Sequence, residues 1–317
     1  MIEVLGTDKQ ITNYKSVNDI DPENLEFYVM QFVDYTDVEI SWAEKTYELN
    51  TSILTRFEDI EISSHFLADE KQVSLHISIP YYNTEKELSE SPVFFLITQQ
   101  GLFLFSNHEV DDYLNKSFDH KFAILDQLSN LESYIKFQIE FISDYYADII
   151  ELETKKVKLL ASKILLEKEF SKDVMDLITR YKFNNLLLKE SLIETTRVFN
   201  LYKKSPWHHK YNIKATIEAE LSDLSVVSDY IQFNFDRLND LKENVSNKID
   251  LEQNHIFKML TVVTVCISLP TLIAGIYGMN FENMPELKSF HGYFIALIAM
   301  LFAAILPYFY FKRKKWF

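Results

Sequence analysis

Two uncharged stretches near the C-terminus limit what this chain can become. Met259 to Phe281 is 23 residues without a charge, and Ser289 to Phe311 is another 23 in which only His291 titrates. A helix needs about 20 apolar residues to cross the ~30 Å hydrocarbon layer of a bilayer, so each run is long enough to span it. Between them lie only Glu282 to Lys288, which makes the pair a hairpin with a short turn. Lys258 precedes the first run and Lys312-Arg313-Lys314-Lys315 follow the second, whereas the turn carries net −1. Basic residues mark the cytoplasmic side, so both termini are expected in the cytoplasm and the turn outside. Tyr308, Tyr310 and Trp316 stand where an interfacial aromatic belt belongs. Met1 to Gln10 contains Glu3 and Asp8 and no apolar core of a signal peptide. The expectation is a multi-pass protein of the cell (plasma) membrane with a cytosolic body ahead of its spans.

Charge separates body from tail. Residues 256–317 carry six basic and two acidic side chains, so of the net −15 the first 255 residues carry −19. No nucleic-acid partner is expected of so acidic a body, because phosphate contacts need a basic face. A single cysteine, Cys266, excludes a disulfide framework and a multi-thiolate zinc site. With five glycines, and none between Gly101 and Gly275, neither Rossmann nor P-loop spacing is present, and no organic cofactor is expected. No grouping of nucleophile, base and acid stands out either, so the chain does not read as an enzyme.

The first hundred residues read as a small α/β layer domain. Val73, Leu75, Ile77 and Ile79 alternate with Ser74, His76 and Ser78, the pattern of a half-buried strand, with Ile60 to Leu67 as its hairpin partner. Val93 to Thr98 and Leu102 to Phe105 form a second pair around Gln99-Gln100-Gly101. Ser41 with Glu44 matches a capping box and predicts a helix of about four turns toward Phe57. From Val110 the pattern is helical, with a break near Asp126 to Leu128 and a helix from Ser171 to about Tyr202. After Pro206 nothing interrupts a helix over 210–277 until Pro270. Its apolar seam (Leu221, Leu224, Ser228, Ile231, Phe235, Leu238, Lys242, Val245, Ile249) suits partner helices or this chain's own. The expected segments are an α/β domain over 1–108, a helical region over 109–206, a stalk helix continuing into the first span over 207–281, an outer loop over 282–291, the second span over 292–311 and a basic tail over 312–317.

Within the first span the periodicity continues with polar and small residues. Asn247, Asp250, Asn254, Phe257, Thr261, Thr264, Ser268, Thr271, Gly275 and Gly278 follow at intervals of three and four, which keeps them on one face of a helix. Val262, Val263, Val265, Leu269, Leu272, Ile273 and Ile276 are expected on the other. A small-residue stripe can serve close helix packing or line an aqueous path.

At the outer end of that run stands Tyr277-Gly278-Met279-Asn280-Phe281, followed by Met284-Pro285-Glu286-Leu287. Here the chain resembles the CorA family of magnesium and cobalt transporters, whose hallmark is a Gly-Met-Asn triplet closing the first of two C-terminal spans. The resemblance implies a funnel-shaped homopentamer in a lipid membrane, with the first span lining the pore and Gly278, Met279 and Asn280 forming the selectivity ring. Divalent metal ions are the implied cargo, chiefly Mg²⁺ with Co²⁺ and Ni²⁺, moving passively, and intracellular Mg²⁺ is the implied regulatory ligand favouring closure. On that basis Asn254, Phe257, Leu260, Thr261, Thr264, Ser268, Thr271 and Gly275 are the expected pore lining. Glu282 and Glu286 would concentrate cations at the mouth. Glu218, Glu220 and Asp223 are the candidate regulatory ligands. Phe257, Leu260 and Ser268 depart from the aliphatic or Met constrictions of well-studied relatives. A zinc transporter of the same superfamily is the alternative cargo reading, although oxygen-only lining favours Mg²⁺ over an ion that prefers nitrogen and sulfur. From another class, a membrane-tethered coiled-coil sensor or scaffold would explain the stalk but not the stripe.

Overall fold

The computed structural model describes residues 1–55, 65–122, 125–168, 170–279, 284–285 and 289–316. They form two compact units, one of residues 1–167 and 173–239, the other of residues 168–172 and 240–317.

The first unit is built on seven strands: β1 (Ile2–Gly6), β2 (Ile11–Tyr14), β3 (Phe27–Val33), β4 (Phe66–Ala68), β5 (Gln72–Tyr82), β6 (Leu88–Thr98) and β7 (Leu102–Ser106). Their order across the sheet is β2-β1-β3-β7-β6-β5-β4, and β3–β7 is the parallel pair among antiparallel ones. Both hairpins expected from the alternation form: β6 meets β7 across Gln99-Gln100-Gly101, and Phe66, Leu67 and Ala68 face Leu75, Ser74 and Val73. Residues 60–64 of the expected partner strand lie outside the described residues.

Period-two alternation sorts the strand residues into two cores. One joins Val73, Leu75, Ile77, Ile79, Phe95 and Leu104 to the helices α3 (Leu131–Leu165) and α4 (Lys172–Lys204). The other joins Met30, Phe32, Phe94, Leu96, Phe103 and Phe105 to α1 (Asp37–Tyr47). Covering on both faces corrects the half-buried reading of β5, because Ser74 and His76 are 1% and 2% exposed. Ser74 Oγ and His76 Nδ1 find local partners, whereas His76 Nε2 is buried with no hydrogen-bond partner among the described residues. Gln72 Nε2 donates to Ser74 Oγ at 2.6 Å, and the Nδ1 atoms of His76 and His65 lie 3.0 Å apart. Burial, then the neighbouring His65, pushes the His76 pKa down to about 3, so His76 stays neutral in the core.

The first helix also differs from expectation. Its N-cap is Thr36, whose hydroxyl accepts from Glu39 N while the Glu39 carboxylate accepts from Thr36 N. Ser41 lies inside the helix, which ends after three turns where Glu48 takes a left-handed conformation, φ 53°. Glu44 instead accepts a hydrogen bond from the Thr51 hydroxyl.

Helix α2 (His108–Phe122) and a 3-10 turn at Leu125–Gln127 precede α3, so the expected break is present. Asn130 and Ser133 cap α3 reciprocally, and α4 begins directly after Ser171. Around Pro206 the chain forms a short helix, α5 (Trp207–Lys210), and Asn212 turns with φ 47°. The long helix α6 therefore runs Lys214–Tyr277, four residues later than expected. Its buried seam is Leu224, Val227, Ile231, Asn234, Leu238, Leu241 and Val245. Ser228 and Lys242, expected in the seam, are exposed, and Phe235 is only half-buried. The seam keeps a/d spacing with Val227, Asn234 and Leu241 at the alternate positions. Asn234 Nδ2 donates to Thr154 Oγ1 on α3 at 2.9 Å, so this part of α6 packs on the chain's own helices.

A fully buried carboxylate ties three elements together. Glu153 of α3 accepts from the Tyr82 hydroxyl of β5, from Lys156 Nζ at 2.8 Å and from Asn184 Nδ2 of α4 at 3.1 Å. Burial, followed by the Glu153 charge, raises the Tyr82 phenol far above its ordinary value, which keeps it a donor. Glu153→Ala should cost about 3 kcal/mol of unfolding free energy, since removing one partner strands buried polar groups. Chemical denaturation followed by circular dichroism checks this, and a loss below about 1 kcal/mol would show that the network does not hold the layers together.

Candidate functional site

The second unit contains the membrane-length part of α6 and the helix α7 (Gly292–Arg313). By length and apolarity both are long enough to cross a bilayer. On α7 no residue is buried, and Phe294, Ile298, Leu301 and Phe302 are each more than half exposed. Side chains of this kind displayed around a whole helix suit lipid rather than water. Exposure falls on one side of α7 only, along Gly292, Ala296, Met300, Ala303, Ala304 and Pro307. That line of mostly small residues permits close helix approach.

On α6 the chemistry divides by face. Asn254, Phe257, Leu260, Thr261, Thr264, Ser268, Thr271, Gly275 and Gly278 are all exposed. Val262 is buried, while Val265, Cys266, Pro270 and Ile273 are half-buried. At 100° per residue those five centre about half a turn from the Thr264–Ser268–Thr271–Gly275 line. Val263, Leu272 and Ile276, expected on the covered side, instead border the stripe. They remain exposed and line a shallow groove with Thr264, Ser268, Thr271 and Gly275. Cys266 sits on the covered side, away from the stripe.

The stripe hydroxyls share one orientation. Thr261, Thr264 and Thr271 each donate through Oγ1 to the carbonyl four residues back, Phe257, Leu260 and Ile267, at 2.8 Å. Ser268 Oγ reaches Val265 O at 3.5 Å. A hydroxyl has one proton and two lone pairs, so a donor spent on the backbone leaves acceptor oxygen facing outward. Such a surface takes hydrogen bonds from the water shell of a cation and offers none to an anion.

The helix ends where the motif begins. Gly278 N donates to Ala274 O at 2.9 Å and Met279 N to Ile276 O at 3.3 Å. Carbonyls of a last turn lack helical partners and carry the negative end of the helix dipole. A Cβ on Gly278 would stand 3.0 Å from the Ala274 carbonyl oxygen, whereas one on Gly275 would meet nothing within 4 Å. Gly278 is therefore constrained by backbone crowding at the point where carbonyl oxygen is displayed. Asn280, Glu282 and Glu286 lie outside the described residues.

In the first unit the three candidate regulatory acids separate. Glu218 Oε1 approaches Lys203 Nζ at 4.0 Å. Glu220, by contrast, shares its surroundings with Asp223 and with Glu140 and Asp144 of α3. Burial raises the Glu220 carboxyl first, the Ser143 hydrogen bond opposes that, and the charges of Asp223, Glu140 and Asp144 raise it further. The α3 partners were not visible in sequence, since their only signal is four-residue spacing within a helix rich in acids. Oxygen donors suit Mg²⁺, yet among the described residues no group of three or more His, Cys, Asp or Glu side chains is arranged to hold a metal ion.

A family model described as CorA-like Mg²⁺ transporter protein matches residues 26–313. The chain belongs to the CorA-like Mg²⁺ transporter family. Among its relatives, the magnesium transport protein CorA of Wolinella succinogenes is 28% identical over 291 residues, covering 88% of this chain and 87% of the relative. That of Salmonella typhimurium is 29% identical over 282 residues, covering 85% and 86%. In fold the chain is similar to the complete CorA magnesium transporter of Methanocaldococcus jannaschii, with a TM-score of 0.77 at 18% identity over 100% of this chain and 98% of the other. Full-length CmaX gives 0.69 at 12% identity over 99% and 97%. An N-terminal α/β domain, a long helix and a C-terminal helix are thus common to this CorA-like chain and those structures.

A raised carboxyl pKa has a definite consequence for stability. The folded protein holds the Glu220 proton more tightly than the unfolded chain does, so ionising it above the ordinary carboxylate range costs stability. Glu220→Gln should therefore raise the thermal midpoint at pH 7, and the gain should vanish as pH falls below about 4. A pH series of melting curves for both proteins measures this. A lower midpoint for Glu220→Gln at pH 7 would contradict the acidic-cluster account.

Proposed function

We propose that this protein carries Mg²⁺ passively across the cell membrane through a homopentameric pore lined by α6. The observation that carries this reading is the face of α6 on which the hydroxyls of Thr261, Thr264 and Thr271 turn acceptor oxygen outward up to Gly278. Mg²⁺ sheds water reluctantly and is best handled with its shell in place. Neutral acceptors bind that shell weakly enough to release it, as conduction requires. Membership of the CorA-like family and the magnesium transport proteins among the relatives support the same cargo. Because Cys266 turns away from the stripe, the zinc reading has no thiolate on that face to rest on.

In this reading Gly278, Met279 and Asn280 form the filter, with Gly278 supplying backbone carbonyl and Asn280 a carboxamide oxygen. Phe257 and Leu260 narrow the path, Asn254 continues it inward, and Glu282 with Glu286 attract cations at the mouth. Co²⁺ and Ni²⁺ share the path. Both termini are cytoplasmic, so residues 1–108 and 109–206 form the regulatory body, 207–281 the stalk and first span, 282–291 the outer loop, 292–311 the second span and 312–317 the basic tail. Intracellular Mg²⁺ closes the pore by neutralising acids such as Glu220 and Asp223 between subunits, with Glu218 at the same height on the stalk.

Asn280→Ala removes one acceptor from each subunit of the ring. At ~1.5 kcal/mol or more per charge-assisted hydrogen bond, repeated around a ring, Mg²⁺ flux should fall at least tenfold while the oligomer still assembles. Purified protein in liposomes with an enclosed Mg²⁺-sensitive dye, under an imposed inside-negative potential, gives the flux. Native mass spectrometry gives the subunit count. Unchanged flux and ion preference in Asn280→Ala would remove the filter assignment, and a dimer in place of a pentamer would remove the pore.

A further inference from the structure

A second feature of the first unit bears on a ligand other than the transported ion. Between the sheet and the helices α2 and α3 lies a cavity of about 330 Å³, within the range of small-molecule sites. Its walls are mostly apolar, with Ile79, Val93, Phe95 and Leu104 from the sheet and Phe141 and Tyr145 from α3, and Gln138 of α3 adds a polar group. Toward β2 and α2 it opens past Ile11 and Asn115, both exposed. Two carboxyls lie at that side, Glu3 of β1 and Asp111 of α2.

Strand register brings the polar groups together. Glu3 pairs with Gln31 and Gln31 with Leu104, so all three share one face of the sheet. Gln31 Nε2 donates to Asp111 Oδ1 at 2.6 Å, and Asn115 Nδ2 donates to Asp111 Oδ2 at 3.2 Å. Asp111 is thereby fixed in place. The Glu3 carboxylate has no hydrogen-bond or ion-pair partner among the described residues, and it is half-buried. Burial raises the pKa of both acids, and each acid adds to its own cause a like charge, Asp111 on Glu3 and Asp112 with Asp34 on Asp111. The Gln31 hydrogen bond opposes this at Asp111, second only to burial, and the N-terminal ammonium opposes it as the last contribution at Glu3. Tyr134 and Tyr145 face the cavity from α3.

An apolar chamber with paired acids at its mouth is complementary to a ligand with an apolar body and a positive head. We propose that this cavity is a binding site for a small organic cation, a protonated primary amine carried on a compact apolar group. Glu3 receives the ammonium, Asp111 stands beside it, and the body fills the space against Phe95, Leu104 and Phe141. A bare Mg²⁺ does not match, because it demands six oxygens in near-octahedral array and most of the lining is apolar. Anions are repelled by the two acids.

The test uses the full-length chain in lipid nanodiscs, with calorimetric titration of 2-phenylethylamine. Its neutral isostere 2-phenylethanol and the anion 3-phenylpropionate serve as charge controls, and empty nanodiscs as the partition control. Saturable amine binding at least tenfold tighter than the alcohol is expected, and no binding of the anion. Glu3→Gln, which keeps the side-chain shape at a half-exposed strand position, should abolish that tenfold preference. In the unmutated protein, amine affinity should rise with pH as the two acids ionise above the ordinary carboxylate range, while the alcohol shows no pH dependence. Equal affinity for amine and alcohol, a flat pH profile, or an undiminished preference in Glu3→Gln would overturn the assignment. Displacement of the amine by millimolar Mg²⁺ in the unmutated protein but not by equivalent NaCl would also overturn it, in favour of a metal site. The readout is binding rather than flux, so its failure leaves the transport reading standing and its success does not depend on it.

Discussion

A hydroxyl that bonds its own helix has spent its donor and keeps its acceptors, and that constraint organises the membrane-length part of α6. Thr261, Thr264 and Thr271 of α6 each bond the carbonyl one turn back. The donors are consumed, the acceptors remain, and the three residues share a face because they are three and seven positions apart. A stripe built for helix solvation therefore presents the surface that a hydrated cation requires. The same helix meets its end at Gly278, where the last carbonyls add the negative pole of the dipole.

The first unit is an α/β layer that includes the early part of α6. The sheet is covered on both faces, and its strands are nearly continuous in buried residues as a result. Buried polar contacts set how the helices sit on it. Glu153 links β5 with α3 and α4, Tyr146 of α3 bonds Thr195 of α4 at 2.8 Å, and Asn234 of α6 bonds Thr154 of α3. Such contacts contribute little net energy but penalise alternative registers. A change in the acidic surroundings of Glu220 acts on α3 and α6 together, because Glu140 and Asp144 lie on one and Glu220 and Asp223 on the other.

What the sequence displayed and what it hid follow from range. The two membrane runs, the stripe and the break at Pro206 are local patterns, and each appears in the structure. Overlapping signals misled at the first helix: Thr36-x-x-Glu39 and Ser41-x-x-Glu44 both satisfy the capping pattern, and the earlier one wins because a helix already formed absorbs the later one. Ser74 and His76 look solvent-facing because they are polar, yet inside the core Gln72 bonds Ser74 Oγ and His65 meets His76 Nδ1. The seam of α6 was read through Leu224, Ile231, Leu238 and Val245, but its intermediate positions depend on Thr154, 80 residues away. Pairing of β3 with β7 likewise joins residues separated by more than seventy positions, and the strands β1 to β3 carry too few alternations to be recognised alone. For the site, the acceptor stripe was legible, whereas Glu140, Asp144 and the cavity beside Glu3 exist only after folding.

The central claim is that the hydroxyl face of α6 borders water. Substituted-cysteine accessibility in a Cys266→Ala background measures this directly, using a membrane-impermeant cationic thiol reagent on full-length protein in liposomes. Single cysteines at 262, 264, 265, 268, 271, 273 and 275 sample both faces. The account predicts rapid modification at 264, 268, 271 and 275, slowed by millimolar Mg²⁺, and none at 262, 265 and 273. Modification of both faces alike, or of the covered face alone, would contradict it.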